Sequence, residues 1–379
     1  MNPLLHWQRQ PRVVHALGFV VLFILTASLD LILDRDLSLF ALYLVPTLYA
    51  GWYLGALWGY ASCLASAVVW FTEDWGLAVL YHHPLIPYWN VAGKLIVLLG
   101  IVAMVNALKK ALEGKFEYEA ERRTAQKEIE IASDVQLRLL PSEVPDYRQV
   151  EFGFFYQPAR EVGGDYYDFI PLNQDQVGVA VGDVSGKGLF SSLLMASLQG
   201  LVRTNLAIRQ GEVAQSVTEL NGSFYKLTSS NRYATLFFAV VDVSKMTLQY
   251  VNAGQNSPLL FRGELSLARG LQMISKLQCG GPPVGILELS QYQSELVHIY
   301  EGDVLVAFTD GVVEALNHQQ EEFGEQRLSD VVSLSISFTA GDICNRISEE
   351  LRTFVADSAQ WDDITLVVMK VRSGLSNIN

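Results

Sequence analysis

The chain has 379 residues, 50% of them hydrophobic, and a net charge of −13. It is too long for one ordinary domain, and its acidity excludes a nucleic-acid binder, whose affinity rests on basic patches. Three widely spaced cysteines, Cys63, Cys279 and Cys344, with no Cys-x-x-Cys, exclude a disulfide framework or zinc ribbon and fit a reducing cytosol.

The charge is uneven. Residues 1–110 carry six Lys or Arg and five Asp or Glu in a very apolar background, whereas the remainder holds 21 basic and 35 acidic residues. A membrane-spanning helix needs about 20 apolar residues. Residues 13–33, 37–56 (with Pro46 inside) and 88–108 supply three, and the shorter 57–71 a fourth that either crosses or re-enters. Further spans and the lack of a small-residue cleavage site argue against a signal peptide. Arg9 and Arg12 precede the first span and Lys109, Lys110 and Lys115 follow the last. The connections 30–36 and 73–87 are acidic or neutral. The positive-inside rule then puts both ends of a sensor-like region 1–110 in the cytoplasm of a multi-pass inner-membrane protein. His82-His83 reads either as a metal sensor or as an interfacial loop among Tyr81, Tyr88 and Trp89. Lys94 is either a functional intramembrane charge or a snorkelling one.

Residues 111–145 form a helical linker. Val105, Leu108, Leu112 and Phe116 step by three and four; after a charged middle, Ile129, Ala132, Val135 and Leu139 resume the stripe, and Pro141 and Pro145 end it. The stripe predicts a parallel coiled coil and a homodimer; the alternative is a single amphipathic helix packed on the next domain.

From residue 146 strand signals dominate, at 151–156, 166–171, 177–181, 234–243, 247–253, 258–262, 294–300, 304–309 and 363–371. Helical spacing appears at 189–210, 213–228, 326–333 and 340–356. Strands in runs with helices inserted together predict an α+β domain over 146–372, a β-sandwich covered by helices, with 373–379 a tail.

The chemistry-bearing stretch is Val177 to Gly188. A buried strand is broken at Gly182 and Asp183, a turn Ser185-Gly-Lys-Gly188 follows, then a helix. A P-loop would need one more residue before its second glycine and a hydroxyl where Gly188 stands. The remaining readings are a carboxylate metal ligand flanked by exposed carbonyls, or a plain turn. Asp165 after two glycines, Asp310 at the end of an apolar strand, and Asp362-Asp363 at the entry to the last strand repeat the pattern. Oxygen ligands alone suit Mg²⁺ or Mn²⁺.

Val162-Gly-Gly-Asp-Tyr-Tyr-Asp168, Gly182-Asp-Val-Ser-Gly-Lys-Gly188, Asn252-Ala-Gly-Gln-Asn256, Thr309-Asp-Gly-Val-Val-Glu314 and Asp362-Asp-Ile-Thr-Leu-Val-Val368 occur in this order. Together they resemble the metal-dependent PPM (type 2C-like) serine/threonine phosphatases of the bacterial SpoIIE/RsbU branch. Glu128 to Gln136 and Leu139-Leu-Pro141 are similar to that branch's entry helix, so the likeness covers about residues 128–371. It implies two Mn²⁺ or Mg²⁺ ions in a sandwich flanked by helices. Asp183 would bridge them, with the Val184 carbonyl on one. Asp310 and Asp362 would complete one ion and Asp165 serve the other, with Asp363 standing behind. Arg160 would bind phosphate. The wider superfamily's histidine in the Asp183 turn is replaced here by Ser185 and Lys187. The ions would activate a water for in-line attack on phosphorus. The likeness also implies a phosphorylated STAS-type anti-sigma-factor antagonist as substrate. The alternative is a catalytically weak module that sequesters a phosphoprotein.

Overall fold

The computed structural model of the chain describes residues 10–32, 39–76, 83, 85–208, 212–228 and 232–373. His82, the connection 33–38, residues 77–82 and the tail 374–379 lie outside them. The chain divides into two compact units, Met1–Ala125 and Gln126–Asn379, with the boundary inside the expected linker.

In the first unit, α1 is Arg12–Ile32. The expected second span is a composite: a 3-10 turn Phe40–Tyr43, α2 (Leu44–Tyr49) and a π turn Ala50–Leu54. Pro46 falls in the first turn of α2, where a missing N–H is tolerated. Gly55 stops the composite at φ 101°, a conformation that glycine adopts without strain. Helices α3 (Ala56–Gly76) and α4 (Ile86–Leu139) follow. Two of these helices are long and apolar enough to cross a membrane, Arg12–Ile32 and Tyr88–Leu139; Phe40–Leu54 and Ala56–Thr72 are shorter apolar helices. Their small core is Tyr43, Cys63, Trp70, Leu98 and Val102. The Lys94 ammonium lies 5.3 Å from the centre of the Trp70 ring, so its charge meets an aromatic face.

Among the described residues of the second unit, eleven strands build two sheets. They are β1 (Val150–Gln157), β2 (Asp165–Pro171), β3 (Gln176–Val184), β4 (Ala234–Asp242), β5 (Thr247–Ala253), β6 (Leu259–Phe261), β7 (Ile274–Lys276), β8 (Gly280–Gly281), β9 (Glu295–His298), β10 (Val304–Phe308) and β11 (Ile364–Val371). One sheet has the order β1-β11-β10-β6-β7; the other is β2-β3-β4-β5-β8, with β9 also on β5. Period-2 alternation sorts the first sheet's side chains between two cores. Leu305, Ala307, Val367 and Met369 enter the core between the sheets. Val304, Val306, Leu366 and Val368 enter the outer core. Helices α9 (Gly324–Ser335) and α10 (Ala340–Val355) close that outer core with Leu328, Val332, Ile343 and Ile347. On the second sheet, α5 (Leu189–Ile208) and α6 (Val213–Leu227) bury Met195, Leu198, Val217 and Phe224. The short helices α7 (Glu264–Ala268) and α8 (Asp310–Val313) lie in connections. The layers are helix, sheet, sheet, helix, as the sequence predicts.

One boundary differs. Gly182 and Asp183 do not end β3, which runs on to Val184 because β4 continues alongside it, with Asp183 opposite Thr235 and Val184 opposite Ala234. A neighbouring strand's ladder overrides the local breaker signal.

Candidate metal centre

Four separated stretches deliver carboxylates to one end of the sandwich. Asp165 opens β2 and is the direct register partner of Asp183 on β3. Residues opposite one another point to the same face, so the two carboxylates share it. The approach needs glycine: a Cβ on Gly164 would lie 2.8 Å from the Val184 carbonyl and 3.1 Å from Asp183 Oδ1. On the other sheet β10 and β11 are antiparallel neighbours, so the exit of one adjoins the entry of the other. Asp310 is the first residue of α8 after β10; Asp362 and Asp363 stand just ahead of β11. A Cβ on Gly311 would meet the Asp363 carbonyl at 1.9 Å, which only glycine avoids.

Hydrogen bonds fix the set. Thr309 and Thr365 lace the strand ends through their backbones and donate their hydroxyls to Asp165 Oδ2, at 2.8 and 2.5 Å. Asp363 accepts from the Ala159 and Gly164 amides at 2.7 and 2.6 Å, and so holds the loop that carries Arg160. Arg160 itself is exposed. Lys187 pairs with Asp362 at 2.9 Å and also donates to the Trp361 carbonyl. Ser185 is engaged by the Tyr233 amide through its hydroxyl and by Arg232 through its carbonyl.

Lys187 offsets only part of the negative charge of these aspartates. Burial, then Asp310, Asp362 and Asp363, push the Asp183 carboxyl up to about 7 against the pull of Lys187. Burial, Asp183 and Asp363 raise Asp165 well above the usual range, opposed by the two threonine hydroxyls. Burial and Asp362 raise Asp310. Beside them the Tyr156 hydroxyl is buried with no hydrogen-bond partner among the described residues, and a Cβ on Gly163 would touch both it and Asp363. Among the described residues no three acidic, His or Cys side chains converge closely enough to hold an ion as they stand. Like charges in a partly desolvated space repel. An all-oxygen donor set, crowded against its own repulsion and next to an orphaned hydroxyl, fits hard divalent cations.

Several residues at the site carry no role in the sequence reading. Gln136, buried in the last turn of α4, donates to the Gly163 carbonyl at 2.7 Å and accepts from the Gly163 amide at 3.1 Å. Gln255 donates to the Phe308 carbonyl at 2.9 Å and so joins the second sheet to the end of β10. Both lie in the quoted motifs, which was the available signal. Glu314, whose carboxyl is raised by burial and by Asp310, lies in one as well. Arg232 lies in none, and no sequence pattern marks it.

The family described as Stage II sporulation protein E (SpoIIE) matches residues 173–372. The chain is 29% identical over 272 residues to Protein IcfG of Synechocystis sp., covering 64% of this chain and 41% of that one. It is 26% identical over 248 residues to Phosphoserine phosphatase RsbU of Bacillus subtilis, covering 64% and 70%. Among solved structures, the SiaA-PP2C domain of Pseudomonas aeruginosa superposes with a TM-score of 0.56 at 17% identity, over 66% of this chain and 98% of that one. The fold is therefore PP2C-like, and the chain belongs to the SpoIIE family of PP2C-like phosphatases.

Proposed function

We propose that the chain is a membrane-anchored, metal-dependent phosphatase that hydrolyses phosphoserine or phosphothreonine on a protein. The observation that carries this is the joining of Asp165 and Asp183 across one ladder with Asp310, Asp362 and Asp363 at the adjoining strand ends. Asp183 is assigned as the bridge between two Mn²⁺ or Mg²⁺ ions, helped by the Val184 carbonyl. Asp310 and Asp362 complete one ion and Asp165 serves the second. Asp363 holds the loop that carries Arg160, and Arg160 orients the phosphate. When bound, such ions would supply the Lewis acidity that activates a water and would offset the repulsion of a phosphate by this acidic cluster. Lys187 pairs with Asp362 at 2.9 Å, so its ammonium stands at the carboxylate cluster and would compete with a cation for that carboxylate.

The similarity to Phosphoserine phosphatase RsbU supports a phosphoprotein substrate, and we assign a phosphorylated STAS-type anti-sigma-factor antagonist as its class. The exposed apolar flanks of Arg12–Ile32 and of the first part of α4 support a multi-pass inner-membrane anchor with both ends cytoplasmic. Val135 and Leu139 are exposed while Gln136 between them is buried; an unpartnered apolar stripe on α4 supports a linker coiled coil and a homodimer.

Turnover of p-nitrophenyl phosphate by the full-length protein tests the reading. Activity is expected with Mn²⁺, lost with chelator and restored by readdition. Asp183→Asn should lower kcat by about 10³-fold, in the range for removing a group on which charge stabilisation rests, with the fold intact by circular dichroism. Arg160→Ala should raise KM more than it lowers kcat. Wild-type turnover by Asp183→Asn in saturating Mn²⁺ would refute the site, and no turnover by the wild type would leave the phosphoprotein-binding module.

A further inference from the structure

A cavity of about 360 Å³ opens beside the candidate centre, between α8, α10 and the entry to β11. Gly311 and Asp362 border both the cavity and the carboxylate cluster. Its floor is apolar, with Phe155, Leu351 and Val355. Glu314 and Glu322 add two carboxylates to the lining, while Arg352, which also lines it, is engaged over the Phe155 ring at 5.6 Å. Trp361, next in sequence to Asp362, is 70% exposed at the rim. An exposed tryptophan beside a reaction centre is a costly surface to leave in water and a frequent anchor of bound protein.

We propose that this cavity is the docking pocket for the substrate chain next to its phosphorylated residue. It takes an apolar side chain on the floor, with a basic side chain facing Glu314 and Glu322. This rests on the phosphatase reading. A phosphate placed over the cations that Asp183, Asp310 and Asp362 would hold leaves the neighbouring residues only about 3.3–3.6 Å per step from it along an extended chain. Asp362 and Gly311 also line the cavity, so a flanking side chain has it within reach. An apolar hollow discriminates by the size of what fills it, and a charged rim by sign. The pocket thus reads the sequence context of the phosphoserine, while Arg160 and the cations that the carboxylates would hold read the phosphate.

The test uses the full-length protein with Mn²⁺, p-nitrophenyl phosphate and a panel of phosphoserine peptides whose flanking positions are Ser, Leu, Arg or Glu. The wild type should show a KM roughly tenfold lower for peptides with Leu and Arg near the phosphoserine than for those flanked by Ser, the order an apolar pocket supplies. Ala359→Trp, at an exposed position on the cavity lining, fills the hollow. It should erase the Leu preference while p-nitrophenyl phosphate turnover stays within about twofold of wild type. Glu322→Lys, also exposed, should move the preference from Arg toward Glu. Indifference of the wild type to flanking sequence, or wild-type preferences in both variants, overturns the pocket and leaves the hydrolase standing. Absence of p-nitrophenyl phosphate turnover in the wild type instead overturns the hydrolase reading beneath it.

Discussion

Asp183 faces Asp165 across the β2–β3 ladder with Asp310 and Asp362 near by, and burial with these neighbours raises its carboxyl from 3.8 to about 7. The protonated form is therefore favoured in the folded protein without metal. The stability this contributes is fully present below about pH 4 and is lost as pH rises through 7. A divalent cation replaces the proton, so metal should stabilise more at pH 8 than at pH 5. At a hundredfold excess over Kd the gain is about 2.7 kcal/mol, a rise of roughly 5–10 °C in apparent melting temperature for a domain of this size. Melting curves in chelator and in Mn²⁺ across pH 5 to 8 measure it; Asp183→Asn should flatten the chelator series. A chelator series already flat in the wild type would contradict the charge crowding. At this scale the aspartates were legible because each stands beside a glycine or at a strand end. Thr309, Thr365 and Gln136 stand in the same motifs, but their roles were not legible, because a hydroxyl or amide gains its role only from a partner 27 to 200 residues away.

Among the elements, the apolar strands announced themselves: β10 and β11 are nearly continuous apolar runs, as expected of strands buried on both faces. The short β7, β8 and α7 did not, since two to five residues show no period. What locks α5 onto β2 was equally hidden. Asp168 is fully buried and receives the Arg203 guanidinium fork at 2.7 and 3.0 Å and the Tyr166 hydroxyl at 3.0 Å. Removing one partner of such a pair leaves a charge buried alone, at about 3–5 kcal/mol. Arg203 is 52% exposed, which places Arg203→Ala near the low end. Replacing both, Arg203→Met with Asp168→Leu, should destabilise less than Arg203→Met or Asp168→Leu alone. Apparent melting temperatures of the four-member cycle decide it; a strictly additive cycle means the pair contributes nothing beyond its separate contacts.

For the whole molecule the open question is how the apolar N-terminal unit addresses the phosphatase domain. Helix α4 runs from Ile86 to Leu139, and the boundary of the two units, at Ala125 and Gln126, falls within it. Its last turn is bonded where the chemistry is set. Gln136 grips both polar groups of the Gly163 peptide, two residues before Asp165. Gln199 on α5 donates to the Leu139 carbonyl, and Tyr167 on β2 to the Pro141 carbonyl at 2.8 Å. A rotation or shift of that turn therefore moves the Gly163-Gly164 pair against the Val184 carbonyl and Asp183, and with it the spacing of the carboxylates. A flexible tether could pass no such displacement. We propose that the linker controls the site through this last turn, with two packings of α4 as the bistable element. Insertions between Glu117 and Glu128 separate a rigid coupler from a leash. Seven added residues keep the heptad phase nearly unchanged; three or four turn the stripe to another face. Activity in membranes should survive the first and change several-fold with the others, and Gln136→Ala should make all of the insertions behave alike. If a Gly-Ser replacement of that stretch leaves activity in membranes unaltered, the helix is only a leash, and the Gln136 clamp serves the fold of the domain rather than its control.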